Sequence, residues 1–248
     1  MGVVELAGLW ERWRDELPEI QEQPTLPPVA IESFEPGPTP FSFQFTTEVS
    51  LPRLWFLAPG GGTLVQVQRD RLVHNWRQTA ADQPYPRYAH FRPIFADRLS
   101  DLVDHLEKHD MGKLQPVQCE VTYINHIPLD TVPNRTLAGV LAPWSETNSD
   151  QFLPGPEDVR ATVRYQIPGP GGTPVGRLYV SADPVWATVP GHPPSEVLLL
   201  QLFCRGRPLG PGIGGVLDFC DLAHEWIVRG FASITTPEMH TVWRRKVV

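Results

Sequence analysis

The residues with chemical potential in this 248-residue chain are scattered, and the first pattern to weigh is Gly210-Pro211-Gly212-Ile213-Gly214-Gly215. It is a literal G-x-G-x-x-G between an expected strand and an expected helix. A dinucleotide fingerprint also needs a second parallel strand about 20 residues on, carrying an acid for the ribose. Here a short capped segment follows instead, so the run is expected to be a tight loop feeding a packed helix. An anion held on its backbone N–H groups is the alternative. His105 and His109 stand four apart on an expected helix, but Leu106 occupies the place of a zinc protease's glutamate and no third ligand is near. Both histidines are expected to face solvent. His224-Glu225 lacks a second histidine at ligand spacing, and Ser195 with His192 lies in a proline-rich turn without a strand-to-helix elbow. Phosphate-loop and Cys-x-x-Cys patterns are missing. The spacing therefore asks for no metal and no cofactor, and any catalytic centre would have to be noncontiguous.

A polar and aromatic run stands out instead. It comprises Gln66, Gln68 and Arg69, then Asn75, Trp76 and Arg77, then Tyr85, Pro86, Arg87 and Tyr88, with Glu120, Tyr123 and Asn125 on a later strand. Glutamine alternating with valine puts Gln66 and Gln68 on one face of a hairpin. If the later strand returns beside that hairpin, Glu120 reaches the guanidinium of Arg69 or Arg77. Three readings follow: a buried network that satisfies backbone groups and packs a helix, a partner surface anchored by Trp, Tyr and Arg, or a small-ligand pocket between sheet and helix.

The elements that must position these residues are legible from periodicity. Leu6, Leu9, Trp10, Trp13 and Leu17 share one face of a helix closed by Pro18, and prolines crowd residues 23–40 into an extended connector. Residues 41–46 alternate as a strand, and 53–58 and 63–69 flank Pro59-Gly60-Gly61-Gly62 as an antiparallel hairpin. Phe91, Ile94, Phe95, Leu99, Leu102, Val103 and Leu106 stripe a long helix with Gly112 as its cap, and residues 115–125 return as a strand. Residues 128–158 hold five prolines without periodicity. After them come an alternating strand from Val159 to about Ile167, a turn over 168–172, strands over 177–182 and 196–204, and a helix near 216–231. That helix keeps Asp218, Asp221, Glu225 and Arg229 on its wet side. Thr235 to Glu238 resembles a capping box opening a short last helix. The expected fold is α+β: an antiparallel sheet shared by two similar strand-hairpin-helix halves, with two long amphipathic helices. The halves are 1–127 and 159–248, joined by a connector over 128–158.

Composition narrows the function classes. Hydrophobic content of 41% with 20% charged is ordinary globular usage, and 28 prolines, about twice the usual share near 5%, argue for rigid connections. No run of about 18 apolar residues exists and residues 1–10 lack a signal-peptide pattern, so membrane and secretory roles are not expected. Cys119, Cys204 and Cys220 are odd in number, far apart and set among apolar residues, as free buried thiols of a cytoplasmic protein would be. The net charge of −7 resides in residues 1–50, and the seven arginines of 51–100 form no concentrated cationic stripe, so no nucleic acid is expected as a partner.

The strings Gln66-Val67-Gln68-Arg69-Asp70-Arg71, Asn75-Trp76-Arg77, Tyr85-Pro86-Arg87-Tyr88, Gln118-Cys119-Glu120-Val121-Thr122-Tyr123-Ile124-Asn125 and Asp221-Leu222-Ala223-His224-Glu225 together resemble a sporadically distributed family of uncharacterised bacterial proteins. The resemblance covers nearly the whole chain. It implies no established activity; patchy distribution suggests an accessory role such as defence or toxin–antitoxin pairing. Members usually begin with an apolar strand ahead of the segment matching Leu6 to Pro18, which this sequence lacks, so either the start is truncated or a sheet edge is open. The leading expectation is a non-enzymatic interaction module whose partner is another protein, encoded nearby, or a second copy. The alternative is a ligand-binding or catalytic pocket using Arg69, Glu120 and Tyr123.

Overall fold

The computed structural model describes residues 3–29, 31–34, 52–80, 83–144, 152, 156–188 and 193–245. The strand expected over 41–46 lies outside them. The fold is α+β, as expected, but among the described residues the strands form two sheets rather than one shared sheet. The chain divides into two compact units, Met1–Pro116 with Pro211–Leu217 and Val117–Gly210 with Asp218–Val248. The expected boundary in 128–158 therefore falls inside the second.

The first unit opens with α1 (Val3–Trp13) and an exposed strand β1 (Glu19–Gln23), followed by β2 (Arg53–Leu57), β3 (Thr63–Gln68), β4 (Arg71–Trp76) and α2 (Tyr88–Lys108). The strands form an antiparallel meander in the order β1-β2-β3-β4. Leu54, Phe56, Val65 and Val67 alternate onto one face, where Leu9, Trp13 and Leu17 and then Leu102 of α2 bury against them. Trp13 meets Phe56 edge-on at 5.9 Å. The β2–β3 turn passes through Gly60 and Gly61 at φ 78° and 67°, a left-handed backbone that side chains resist.

Polar contacts lock α1 to α2. The Trp13 indole donates to Asp101 (2.7 Å), Arg12 bonds the same carboxylate (3.2 Å), and Arg98, lying over the Trp13 ring, pairs with Glu16. His105, expected to face solvent, is buried, with its ring against Gly8 of α1. His105 continues the buried stripe of Arg98 and Leu102 at helical spacing, on the side that α1 covers. The helix ends as a Schellman motif: Asp110 takes φ 52°, Met111 N–H donates to the Leu106 carbonyl and Asp110 N–H to that of Glu107. The left-handed cap is thus Asp110, not Gly112.

The second unit holds β5 (Cys119–Pro128), α3 (Leu137–Val140), β6 (Ala161–Pro168), β7 (Pro174–Ala187), β8 (Ser195–Gly206), α4 (Gly212–Ile234, within this unit from Asp218) and α5 (Pro237–Val242). Its antiparallel sheet has the order β5-β8-β7-β6. Phe219, Ala223 and Ile227 of α4 are buried over the face that carries Leu178, Val180, Leu200 and Leu202. Gly176 and Gly206 pair across β7 and β8, and the gap they leave receives the Phe219 ring. Residues 128–144 are more than a connector: Leu129, Val132, Leu137 and Val140 are buried, and Thr236 donates to the Gly139 carbonyl at 2.8 Å. Thr236, one residue later than expected, caps α5 by accepting from Met239 N–H, with Pro237 first in the helix.

Candidate functional site

Because Leu54, Phe56, Val65 and Val67 face the helices, Arg53, Trp55, Gln66 and Asn75 must project from the opposite face of the first sheet. Register puts Trp55 directly across from Gln66, with Asn75 diagonal to it on β4. Gln66 is the hub. Its carbonyl accepts from Arg53 Nη1 and from the Trp55 indole, both at 3.0 Å, and its amide donates to Asn75 Oδ1 at 2.6 Å. The Arg53 guanidinium lies 5.3 Å from the Trp55 ring centroid, a cation–π distance. All four side chains are half-buried, so they are oriented yet reachable. The expected cluster is present here in part, with two members, Arg53 and Trp55, that sequence reasoning missed. Their period-two alternation onto the Gln66 face was the available signal.

The other expected residues fall elsewhere. Gln68 is buried on the same face as Gln66, as the alternation required, and clamps the proline-rich connector: it accepts from Leu26 N–H (2.9 Å) and donates to Leu26 O and Asp70. Arg71 extends the clamp to the Pro27 carbonyl at 2.6 Å. Burial pushes the Asp70 carboxyl up, but the hydrogen bond and charge of Arg71, with the Gln68 amide, outweigh it and hold the group below its ordinary range. Arg69 is exposed in the β3–β4 turn. Arg77 donates through Nε to Gly61 O at 2.8 Å and so pins the glycine turn. Trp76 lies on the helix side of the sheet, edge-on to Tyr85 at 5.3 Å, and Tyr88 begins α2.

On that helix side a cleft of about 340 Å³ opens, lined by Thr63, His74, Trp76, His90, Phe91 and the prolines 84 and 86 among others. His74 stacks on Phe91 at 4.1 Å and its Nδ1 is buried without a hydrogen-bond partner. Burial, helped by the charge of Arg98, depresses its pKa to about 4. A smaller depression of about 250 Å³ includes Lys113, Glu107 and the glycine-rich start of α4 at Gly212 and Ile213. Its lining carries one charge of each sign, which gives no net attraction for an anion.

Glu120, Tyr123 and Asn125 do not join the hairpin, because β5 pairs with β8 in the second unit. Glu120 instead bonds Arg205 at 2.9 Å, on the face away from α4. Tyr123 points the other way, its hydroxyl 2.8 Å from His224 Nδ1, and Asn125 donates to the Leu200 carbonyl at 3.2 Å. Burial lowers the His224 pKa, partly offset by Asp221. The strand pairing through which Glu120 was expected to reach Arg69 or Arg77 is thus not formed, and Glu120 and Tyr123 project from opposite faces of β5. Cys119, Cys204 and Cys220 are buried free thiols, and burial pushes the first two up to about 12, far from nucleophilic range. Among the described residues no three or more His, Cys, Asp or Glu side chains gather as a metal site, and no helix is long and apolar enough to cross a membrane. Compared with protein-family models, with curated proteins and with solved structures, the chain matches none.

Proposed function

We propose that the chain is a non-enzymatic protein-interaction module that engages its partner through the Arg53, Trp55, Gln66 and Asn75 face. The observation that carries this reading is the triple hydrogen bonding of Gln66, which fixes a tryptophan and an arginine in half-exposed positions before any partner arrives. Tryptophan and arginine are the residues that dominate binding energy at interfaces, and orienting them beforehand lowers the entropic cost of association. The resemblance carried by the strings around Gln66, Asn75 and Tyr88 supports a bacterial accessory role, as an antitoxin-like or defence-associated partner. Affinity capture from the native host, comparing the intact chain with Trp55→Ala and with Gln66→Leu, tests it. Recovery of the specific partner is expected to fall about tenfold or more for Trp55→Ala, the scale of a lost anchor, and less for Gln66→Leu. Equal recovery by both variants with unchanged circular dichroism refutes the reading.

A second reading rests on the ring-lined cleft, whose volume of about 340 Å³ is at the small end of ligand sites. With His74, Trp76, His90 and Phe91 in its lining, it is suited to a small planar molecule. Saturation-transfer NMR with indole and with purine is expected to show contact that Trp76→Ala abolishes. Equal transfer in the variant, or none in either, removes this reading.

A further inference from the structure

Among the described residues the two outer strands of the second unit's sheet, β5 and β6, each pair on one side only, and three separate features of the β6 edge describe what fits it. Strand β6 pairs with β7 and, among the described residues, with no other strand, so one row of its N–H and C=O groups has no ladder. Five consecutive residues, Thr162, Val163, Arg164, Tyr165 and Gln166, are exposed, which means neither face of the strand is covered there.

The second feature is apolar. Val163 and Tyr165 sit opposite Val180 and Leu178, each 2% exposed, yet are themselves 37% and 39% exposed. The core face of the sheet runs out to its edge and stops uncovered. The cause is the position of α4, whose Gly230 and Phe219 rest on Leu178 and Gly176 of β7 and whose His224 leans toward β5. The third feature is charge. Alternation puts Arg160, Thr162, Arg164 and Gln166 on the other side of the strand, and residues 160–168 include no acid. Arg164 has no ion pair among the described residues, and Arg160 meets only the exposed Asp158, at 3.6 Å. A bulge and Pro168 block the strand's far end, but residues 161–166 carry neither.

We propose that the free edge of β6 accepts an extended segment of a partner protein as a fifth strand, one in which apolar residues alternate with aspartate or glutamate. Main-chain hydrogen bonds continue the ladder, the apolar set covers Val163 and Tyr165 under the flank of α4, and the acidic set meets Arg164 and Arg160. A second copy of β6 fits less well, since it brings no acid to these arginines, and the register centred on residue 164 sets two of them face to face. This edge lies on a different sheet from the Trp55 face, so either reading can fail without the other.

Fluorescence anisotropy on the full chain tests the proposal with a labelled eight-residue peptide alternating glutamate and valine, against the peptide in which lysine replaces glutamate. The glutamate peptide is expected to bind saturably and about tenfold or more tighter than its charge-inverted control. Arg164→Glu should reverse that preference and Tyr165→Lys should weaken the glutamate peptide about tenfold. Hydrogen exchange should show bound peptide protecting amides within 162–166. Both side chains are exposed, so the variants are expected to stay folded, checked by circular dichroism. Absence of binding, equal binding of the two peptides, or protection that omits β6 overturns the proposal. So does sedimentation showing that the chain is already a dimer dissociated by Tyr165→Lys, because the edge is then taken by a second copy.

Discussion

Gly206→Ala is expected to destabilise the protein by about 3 kcal/mol or more, among the largest effects of any single methyl group added to it. A Cβ there meets the Val175 carbonyl oxygen and the Phe219 ring, whose Cζ is at 2.8 Å. The ring itself is wholly buried and has no neighbouring space to enter. Gly176→Ala is expected to cost less, since its nearest atoms are the Arg205 carbonyl oxygen at 2.9 Å and the ring at 3.0 Å. Trimming the ring with Phe219→Leu separates the two causes. In that background the penalty at 176 should shrink without vanishing, because the Arg205 carbonyl oxygen at 2.9 Å is backbone too, whereas the penalty at 206 should persist, because the Val175 carbonyl oxygen lies closer still and cannot yield. Urea unfolding of the three single and two double variants measures this, and equal penalties at 176 and 206 in the leucine background would contradict the glycine-lined slot for Phe219.

Acid is expected to weaken the protein through His74 well before most carboxylates titrate. The folded-state pKa is about 4, against 6.5 for the free group, because burial and then Arg98 disfavour the imidazolium. Between those values the unfolded chain binds more protons than the folded one, so stability is complete above pH 6.5 and declines as pH falls toward 4. The size of the loss is up to about 3 kcal/mol for a shift of this extent. Asp70 acts in a lower window: with its folded pKa depressed, its contribution is present above the model carboxylate value of 3.8 and disappears below it. His74→Phe keeps a ring on Phe91 and removes the titration, so its unfolding free energy should change far less between pH 7 and about pH 4.5 than that of the unaltered chain. Parallel losses in the two proteins would assign the acid sensitivity elsewhere.

What the sequence revealed follows a physical division between local and non-local determinants. The β2–β3 hairpin, α2, β6 and α4 are each written in apolar periodicity over their own residues, and each forms where that periodicity lies. β1 and β4 escaped because Glu19–Gln23 has a single apolar side chain and Arg71–Trp76 is half-exposed throughout. Neither presents a dry face to detect. The partner of β5 was also out of reach, since Val121, Tyr123 and Ile127 would suit either sheet and nothing local distinguishes them. At the site, Gln66 and Asn75 were legible as neighbours. The error over Glu120 was the same error as the strand pairing, since one misplaced strand carries every side chain on it to the wrong partners.

The pairing of β5 has a consequence for synthesis. Its ladder partner among the described residues is β8, so its alternating Val121, Tyr123 and Asn125 leave the ribosome long before anything can close over them. At about 5–20 residues per second, the roughly seventy residues in between take several seconds to emerge. During that interval β6, β7 and β8 are appended in sequence order and can pair by short connections, whereas β5 must wait for the last of them. A nascent chain released within the interval would carry an unmatched strand, which makes this stretch the point at which a chaperone has most to shield.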